Sequence, residues 1–173
     1  MGIGYRLGQF WRNMTAAPLS PEAMELVTAV LTTEELTLFN RFSLSDQQHS
    51  YQVLCSVQTA GWAQPSLLKA ALLHDVGKSC VSLKVWERSL AVLLAMVMPQ
   101  QMKVWGEGEA RGWRRPFVVK AQHPTWGADM AAAAGSDPLT VALIRRHQDV
   151  LSETADSLQD RLLRLLQWAD NQN

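Results

Sequence analysis

The sequence predicts an all-α fold, a helical bundle, on three observations. Apolar residues recur at helical spacing along most of the 173 residues. Pairs of a small polar residue and proline mark helix starts at Ser20-Pro21 and Asp137-Pro138. The strict alternation of a half-buried strand is nearly absent. Hydrophobic residues at 47% and charged residues at 18% describe one ordinary globular chain, long enough to bury a substantial core. The formal net charge is zero, which gives no reason to expect a nucleic-acid surface or a polybasic membrane anchor.

Taken in order, residues 1–44 read as an N-terminal helical extension packed on a domain of residues 45–173. The opening residues lack a long apolar core, so no secretory signal is expected and the chain reads as cytoplasmic. Cys55 and Cys80 form no Cys-x-x-Cys and read as reduced thiols. Ser45 and Gln48 can form a capping box for a helix that carries His49 and ends near Gly61. Its His49, Val53, Val57 and Ala60 share one face. The stretch from Ser66 to Val76 is apolar on nearly all sides and should lie at the centre of the bundle. His74 and Asp75 come at its end, where Gly77 can break the helix.

A helix over Val81 to Met98 is expected to stop at Pro99; its most apolar run, Leu90 to Met98, is too short to cross a bilayer and reads as buried. Gln100 to Arg115, with Gly106, Gly108 and Gly112, reads as a loop with one short turn, inserted over one face. Trp105, Trp113 and Trp126 read as packing residues rather than pocket walls. Helix resumes from Arg115 to Ala134, kinked near Pro124 and ended by Gly135. Two further helices carry buried stripes: Leu139, Leu143, Ile144 and His147, then Leu158, Leu162, Leu163, Leu166 and Asp170.

Charge is uneven. Lys103, Arg111, Arg114, Arg115 and Lys120 precede His123, and Asp149, Glu153, Asp156 and Asp160 follow His147. The acidic run reads as a solvated loop and first helical turn. The basic run would draw in an anionic substrate if it faced a site.

His49, His74, Asp75, His123, His147 and Asp170 all fall on inferred core faces or beside helix breaks. A lone histidine on an apolar face is more often a hydrogen-bonded core residue than a ligand. The joint pattern is different, because burying so many polar groups is costly unless something pairs with them. Imidazoles mixed with carboxylates suit hard-to-borderline divalent ions, and a pair of such ions is a device for splitting phosphate esters and anhydrides.

From about residue 41 to residue 171 the chain resembles the HD superfamily of metal-dependent phosphohydrolases. The resemblance rests on Asp46-Gln47-Gln48-His49-Ser50, on Ala71-Leu72-Leu73-His74-Asp75-Val76-Gly77-Lys78, and on Leu166-Gln167-Trp168-Ala169-Asp170. It implies an all-helical HD-domain bundle in which His49, His74, Asp75 and Asp170 bind one metal. His123-Pro124 and Arg146-His147 match the additional histidines of the two-metal branch, in which Asp75 would bridge both ions. The order of these residues is similar to that of bacterial hydrolases that split diadenosine tetraphosphate symmetrically. His74-Asp75-x-Gly77-Lys78 is also shared with HD-GYP phosphodiesterases of cyclic dinucleotides. Against that group, Arg146-His147 stands where a His-His pair is expected, and the Gly-Tyr-Pro segment is missing after Gln148-Asp149.

The resemblance implies hydrolysis of a phosphoester or phosphoanhydride bond in a small nucleotide-like substrate, by attack of a metal-bound hydroxide. Asp75 and Lys78 would be the catalytic residues, with Lys78 and Arg146 contacting the substrate. Two iron or manganese ions suit the donors best, with zinc, cobalt or nickel as alternatives. No nucleic acid or membrane partner is expected, and a homodimer is left open. Three other readings stay open: a single-metal HD nucleotidase, a cyclic-dinucleotide phosphodiesterase, and a non-catalytic module that binds metal or nucleotide.

Overall fold

Caps written into the sequence start most of the helices. The structure, a computed structural model, describes residues 17–152 and 154–173, and residues 1–16 of the expected extension lie outside the described residues, as does Glu153. Helix α1 (Pro21–Val30) starts at Ser20, whose hydroxyl accepts from the Ala23 amide. Helix α2 (Thr33–Phe39) starts with a reciprocal capping box between Thr32 and Glu35. Glu35 is fully buried, yet it also accepts from Lys69 and Ser136, so α2 is tied to the core by a satisfied carboxylate. Both helices pack on α4, described next.

Helix α3 (Leu44–Thr59) begins two residues earlier than expected. Ser43, not Ser45, is the cap, accepting from the Asp46 amide, and Ala60 is exposed rather than part of the core face. Helix α4 (Pro65–Leu73) is the centre of the bundle: Leu67, Leu72 and Leu73 are fully buried, and α1, α2, α3 and the helices over Pro138–Arg146 and Leu158–Gln172 all touch it. A 3-10 turn, Val76–Cys80, follows His74 and Asp75.

The inserted region departs most from expectation. Helix α5 (Val85–Val97) starts later, and Leu90, Leu93 and Val97 are exposed, so its apolar run is not a core helix. Pro99 does not merely stop it. Proline there is the first residue of α6 (Pro99–Trp105), where its missing N–H costs nothing. Residues 100–105 of the expected loop are therefore α-helical, and a 3-10 turn, Gly112–Arg114, leads into the helix that starts at Arg115. Trp113 packs edge to face on Trp105 and on Phe117, which are tilted against each other, and Phe117 belongs to a small second core with Ala91 and Met102. This agrees with the packing role read for Trp105 and Trp113.

Helix α7 (Arg115–Ala133) carries Pro124 within it, and Gly135 follows its end at φ +80°. Helix α8 (Pro138–Arg146) starts at Asp137, which accepts from the Leu139 and Thr140 amides. Helix α9 (Leu158–Gln172) closes the chain against α3, α4 and α8. No strand occurs among the described residues.

Gly77 has a different purpose from helix breaking. The 3-10 turn lies flat on α7, and a Cβ at Gly77 would stand 2.0 Å from the His123 carbonyl oxygen. Gly127 faces it from α7, where a Cβ would meet the Gly77 nitrogen at 3.1 Å. Gly77→Ala should therefore cost about 3 kcal/mol, at the upper end of overpacking penalties, because backbone rather than a flexible side chain must move. The shift in urea midpoint measures it, and Gly127→Ala should cost less.

Candidate metal centre

Three buried histidines are held by one repeated device. The Nδ1 of His74 lies 3.0 Å from the Ala71 carbonyl oxygen, that of His123 3.0 Å from the Lys120 oxygen, and that of His147 2.7 Å from the Ile144 oxygen. Each acceptor is three residues back along the helix. A carbonyl oxygen only accepts, so each Nδ1 donates a proton to it and each Nε2 is the ring nitrogen left facing inward. The acceptors are available for local reasons. His74 and His147 are the C-caps of α4 and α8, where the last carbonyls are little used by the helix; that of Ile144 receives only a long 3.5 Å bond from the His147 amide. In mid-helix α7, Pro124 has no N–H to offer Lys120, which leaves that oxygen to the His123 ring. His123 Nδ1 also lies 2.9 Å from the Val119 oxygen.

The Nε2 atoms so placed converge on Asp75. His123 Nε2 and His147 Nε2 are 3.2 Å apart, and Asp75 Oδ1 lies 3.2 Å from the first and 3.6 Å from the second. Burial holds both imidazoles below their ordinary pKa, His147 to about 3, with His74 adding repulsion there. Two neutral rings thus point lone pairs at each other and at a carboxylate. That arrangement is repulsive as it stands and is complementary to a cation.

On the other side, Asp75 Oδ2 is 3.6 Å from His74 Nε2 and receives Lys78 Nζ. Asp170 Oδ1 lies 3.5 Å from His74 Nε2 and 3.0 Å from His49 Nε2. His74 is completely buried, and its Nε2 has no hydrogen-bond partner. Burial favours the neutral ring, but the Asp75 and Asp170 charges outweigh it and raise His74 to about 9. Burial likewise works against Asp75 and Asp170 ionising. Lys78, His74 and His123 override it at Asp75, and His49 and His74 at Asp170, so both stay charged.

Two donor sets result, His49–His74–Asp170 and Asp75–His123–His147, each with ligand atoms within 4.8 Å of one another. The donors are nitrogen and carboxylate oxygen, with an orphaned buried Nε2 among them, and they fit divalent ions. His49, Asp75, His123 and Asp170 also line a cavity of about 480 Å³, with His74 and His147 outside its lining.

All six residues expected as ligands are thus brought together. Lys78 lines the cavity, with its ammonium on Asp75 and its pKa raised by that carboxylate against the effect of burial. Arg146 is the correction. Its guanidinium binds Asp149 and Asp160, each at 3.1 Å, and it does not line the cavity. Of the basic run, Lys120 reaches the cavity. Arg114 holds the Val104 and Glu107 carbonyls, Arg115 holds that of Ser82, and the Lys103 side chain lies outside what is described. The sequence reading missed Gln48, Gln52, Gln148 and Asn171, which also line the cavity. Gln48 adjoins His49 and Gln148 adjoins His147, and proximity to a motif histidine was the available signal. Gln167, three residues before Asp170, donates to the His147 and Asp149 carbonyls and fixes the loop after α8.

A family model described as HD domain matches residues 47–172. No curated protein and no solved structure matches the chain.

The histidines set a pH dependence for the metal-free protein. His74 is raised from 6.5 to about 9, so the stability it lends is complete below pH 6.5 and is lost as pH climbs through 9. His147 is lowered from 6.5 to about 3, so its contribution is complete above pH 6.5 and is lost as pH falls through 3. The thermal midpoint should accordingly peak near pH 6.5 in chelator. Manganese should remove the alkaline decline, because a cation takes the place of the proton on His74. A profile that stays flat up to pH 9 in chelator would refute this charge assignment.

Proposed function

The chain belongs to the HD-domain family, part of the metal-dependent phosphohydrolase superfamily, and from that premise we propose that it hydrolyses a phosphoester or phosphoanhydride of a nucleotide-like substrate at a two-cation centre. The observation that carries this reading is the convergence of the His123 and His147 Nε2 atoms on one oxygen of Asp75 while His74 faces the other. In this reading His49, His74 and Asp170 would hold one ion and His123 and His147 the other, with Asp75 placed to serve either. Bound divalent ions supply Lewis-acid charge and acidify a water enough for it to attack phosphorus near neutral pH.

The chain's own residues do the rest. Lys78 lies beside Asp75 at the cavity wall, where its ammonium can turn from the carboxylate to a phosphoryl oxygen as negative charge builds there. Lys120 adds a second positive group along the same cavity. Leu83, Ala91, Pro116 and Val119 offer an apolar wall for a planar or aliphatic part of the substrate. Gln48, Gln52 and Asn171 offer amides to its hydrogen-bonding edge. A cavity of about 480 Å³ suits one nucleotide-sized group.

Metal analysis after anaerobic purification, paired with phosphate release from a nucleotide panel, tests the reading. About two ions per chain are expected, as a two-metal site requires. Asp75→Ala should abolish both loading and turnover. Lys78→Ala should leave the ions in place and lower turnover by about 10²- to 10³-fold, the usual loss for one charge-stabilising donor. Full metal content and activity in Asp75→Ala would sink the assignment. One ion per chain, unaffected by His123→Ala, would reduce the centre to the His49–His74–Asp170 side together with Asp75.

A further inference from the structure

Helix α5 turns an apolar stripe to solvent. Trp86 (60% exposed), Leu90 (37%), Leu93 (58%) and Val97 (70%) follow the four- and three-residue spacing that keeps them on one side. The opposite side is also apolar: Ala91 and Leu94 pack in the small core with Phe117. The helix's acidic residue, Glu87, is withdrawn from the surface, bonded to the Lys84 amide and close to Arg115. From Ser89 to Met102 the sequence carries no charge at all. A solvated helix normally presents Lys and Glu on its outer face, so this one is built to be covered. The same segment also exposes Val104 and Trp113.

Charge identifies what covers it. Residues 81–115 carry Lys84, Arg88, Lys103, Arg111, Arg114 and Arg115 against Glu87, Glu107 and Glu109. The chain as a whole is neutral, so this apolar segment is cationic and the excess acid lies elsewhere. Residues 1–20 hold Arg6 and Arg12 with no acidic residue. Covering α5 with that segment, or with α5 of a second copy, would bring cation against cation. An anionic surface is complementary to both. Exposed tryptophan and leucine in a segment of net positive charge favour a lipid interface over a nucleic acid, which would leave the apolar stripe uncovered. No helix among the described residues is long and apolar enough to cross a bilayer.

We propose that the exposed face of α5 docks on an anionic lipid surface, lying in the headgroup layer rather than spanning it. Leu83 and Ala91 of this segment line the cavity, so docking would set the cavity beside the membrane. The proposal does not depend on turnover or on metal.

Co-sedimentation of the full chain with phosphatidylcholine vesicles, with and without phosphatidylglycerol, tests it. Binding is expected only with phosphatidylglycerol, and Leu93→Glu/Val97→Glu should weaken it at least about tenfold, since burial of two aliphatic side chains is lost. Leu158→Glu, at an exposed apolar position on α9, serves as the charge control and should bind nearly as the parent chain does. A blue shift of tryptophan emission on the anionic vesicles should accompany binding. Four outcomes overturn the proposal: no binding to anionic vesicles, equal binding to neutral ones, binding that survives the double substitution, or a dimer of the parent chain that the double substitution dissociates. Preference for duplex DNA over the vesicles would overturn it as well.

Discussion

Three imidazole N–H groups, each spent on a helical carbonyl three residues back, are the constraint on which the rest of the site depends. Once His74, His123 and His147 donate from Nδ1, their Nε2 atoms have nowhere to point but inward, at Asp75 and at one another. Orienting a ligand through the bond made by its other nitrogen is a common way to fix a histidine at a metal. Here the orienting group is backbone in all three cases. The geometry is therefore as rigid as the helices, and no partner side chain has to be specified. The requirement falls instead on where helices end. α4 must stop at Leu73, α8 at Arg146, and α7 must contain a proline just after its histidine.

That requirement explains features which look unrelated in the sequence. Gly77 and Gly127 let the 3-10 turn settle on the backbone of α7, and this contact brings Asp75 within 3.2 Å of His123. A side chain at either position would push the turn away and open the distance between carboxylate and imidazole. The largely apolar α4 supplies the stability against which a cluster of buried polar groups can be held. Removing charged and polar groups from water costs several kcal/mol each unless they are compensated. Glu35, buried with three donors, shows the same economy away from the site.

Much of this was legible in the sequence, and what was not has physical reasons. The six site residues could be grouped because each lay at the end or on the inner face of an apolar stripe, and helical spacing converts such positions into proximity. Arg146 lies away from the cavity although its neighbours His147 and Gln148 lie at or beside it, because Asp149 and Asp160 draw its guanidinium to the other side of α8, and spacing alone does not tell which neighbour of a histidine turns inward. Ser43 and Ser45 are equivalent as caps on paper, and only the packing of α3 chooses between them. Glycine near a helix end suggests a chain break, but Gly77 is needed for a close approach between segments far apart in sequence, which local pattern does not contain. The run Leu90 to Met98 was read as core because hydrophobicity reports that a surface should be covered without reporting by what.

The inserted helices then give the cavity its character. Its metal-side wall is fixed by backbone, and one flank is lined with amides from α3 and α9. The other flank is apolar and is contributed by Leu83, Ala91, Pro116 and Val119, where α5 and its approach meet α7. Ala91 faces inward on the helix whose Leu90 and Leu93 face solvent. A single helix thus forms the inner wall of the proposed substrate cavity and the outer surface proposed to meet lipid. Whatever holds its outer face also limits how far its inner face can move. The α5 part of this wall carries none of the histidines held by the backbone carbonyls, so a surface bound to α5 could alter the shape of the cavity without displacing them.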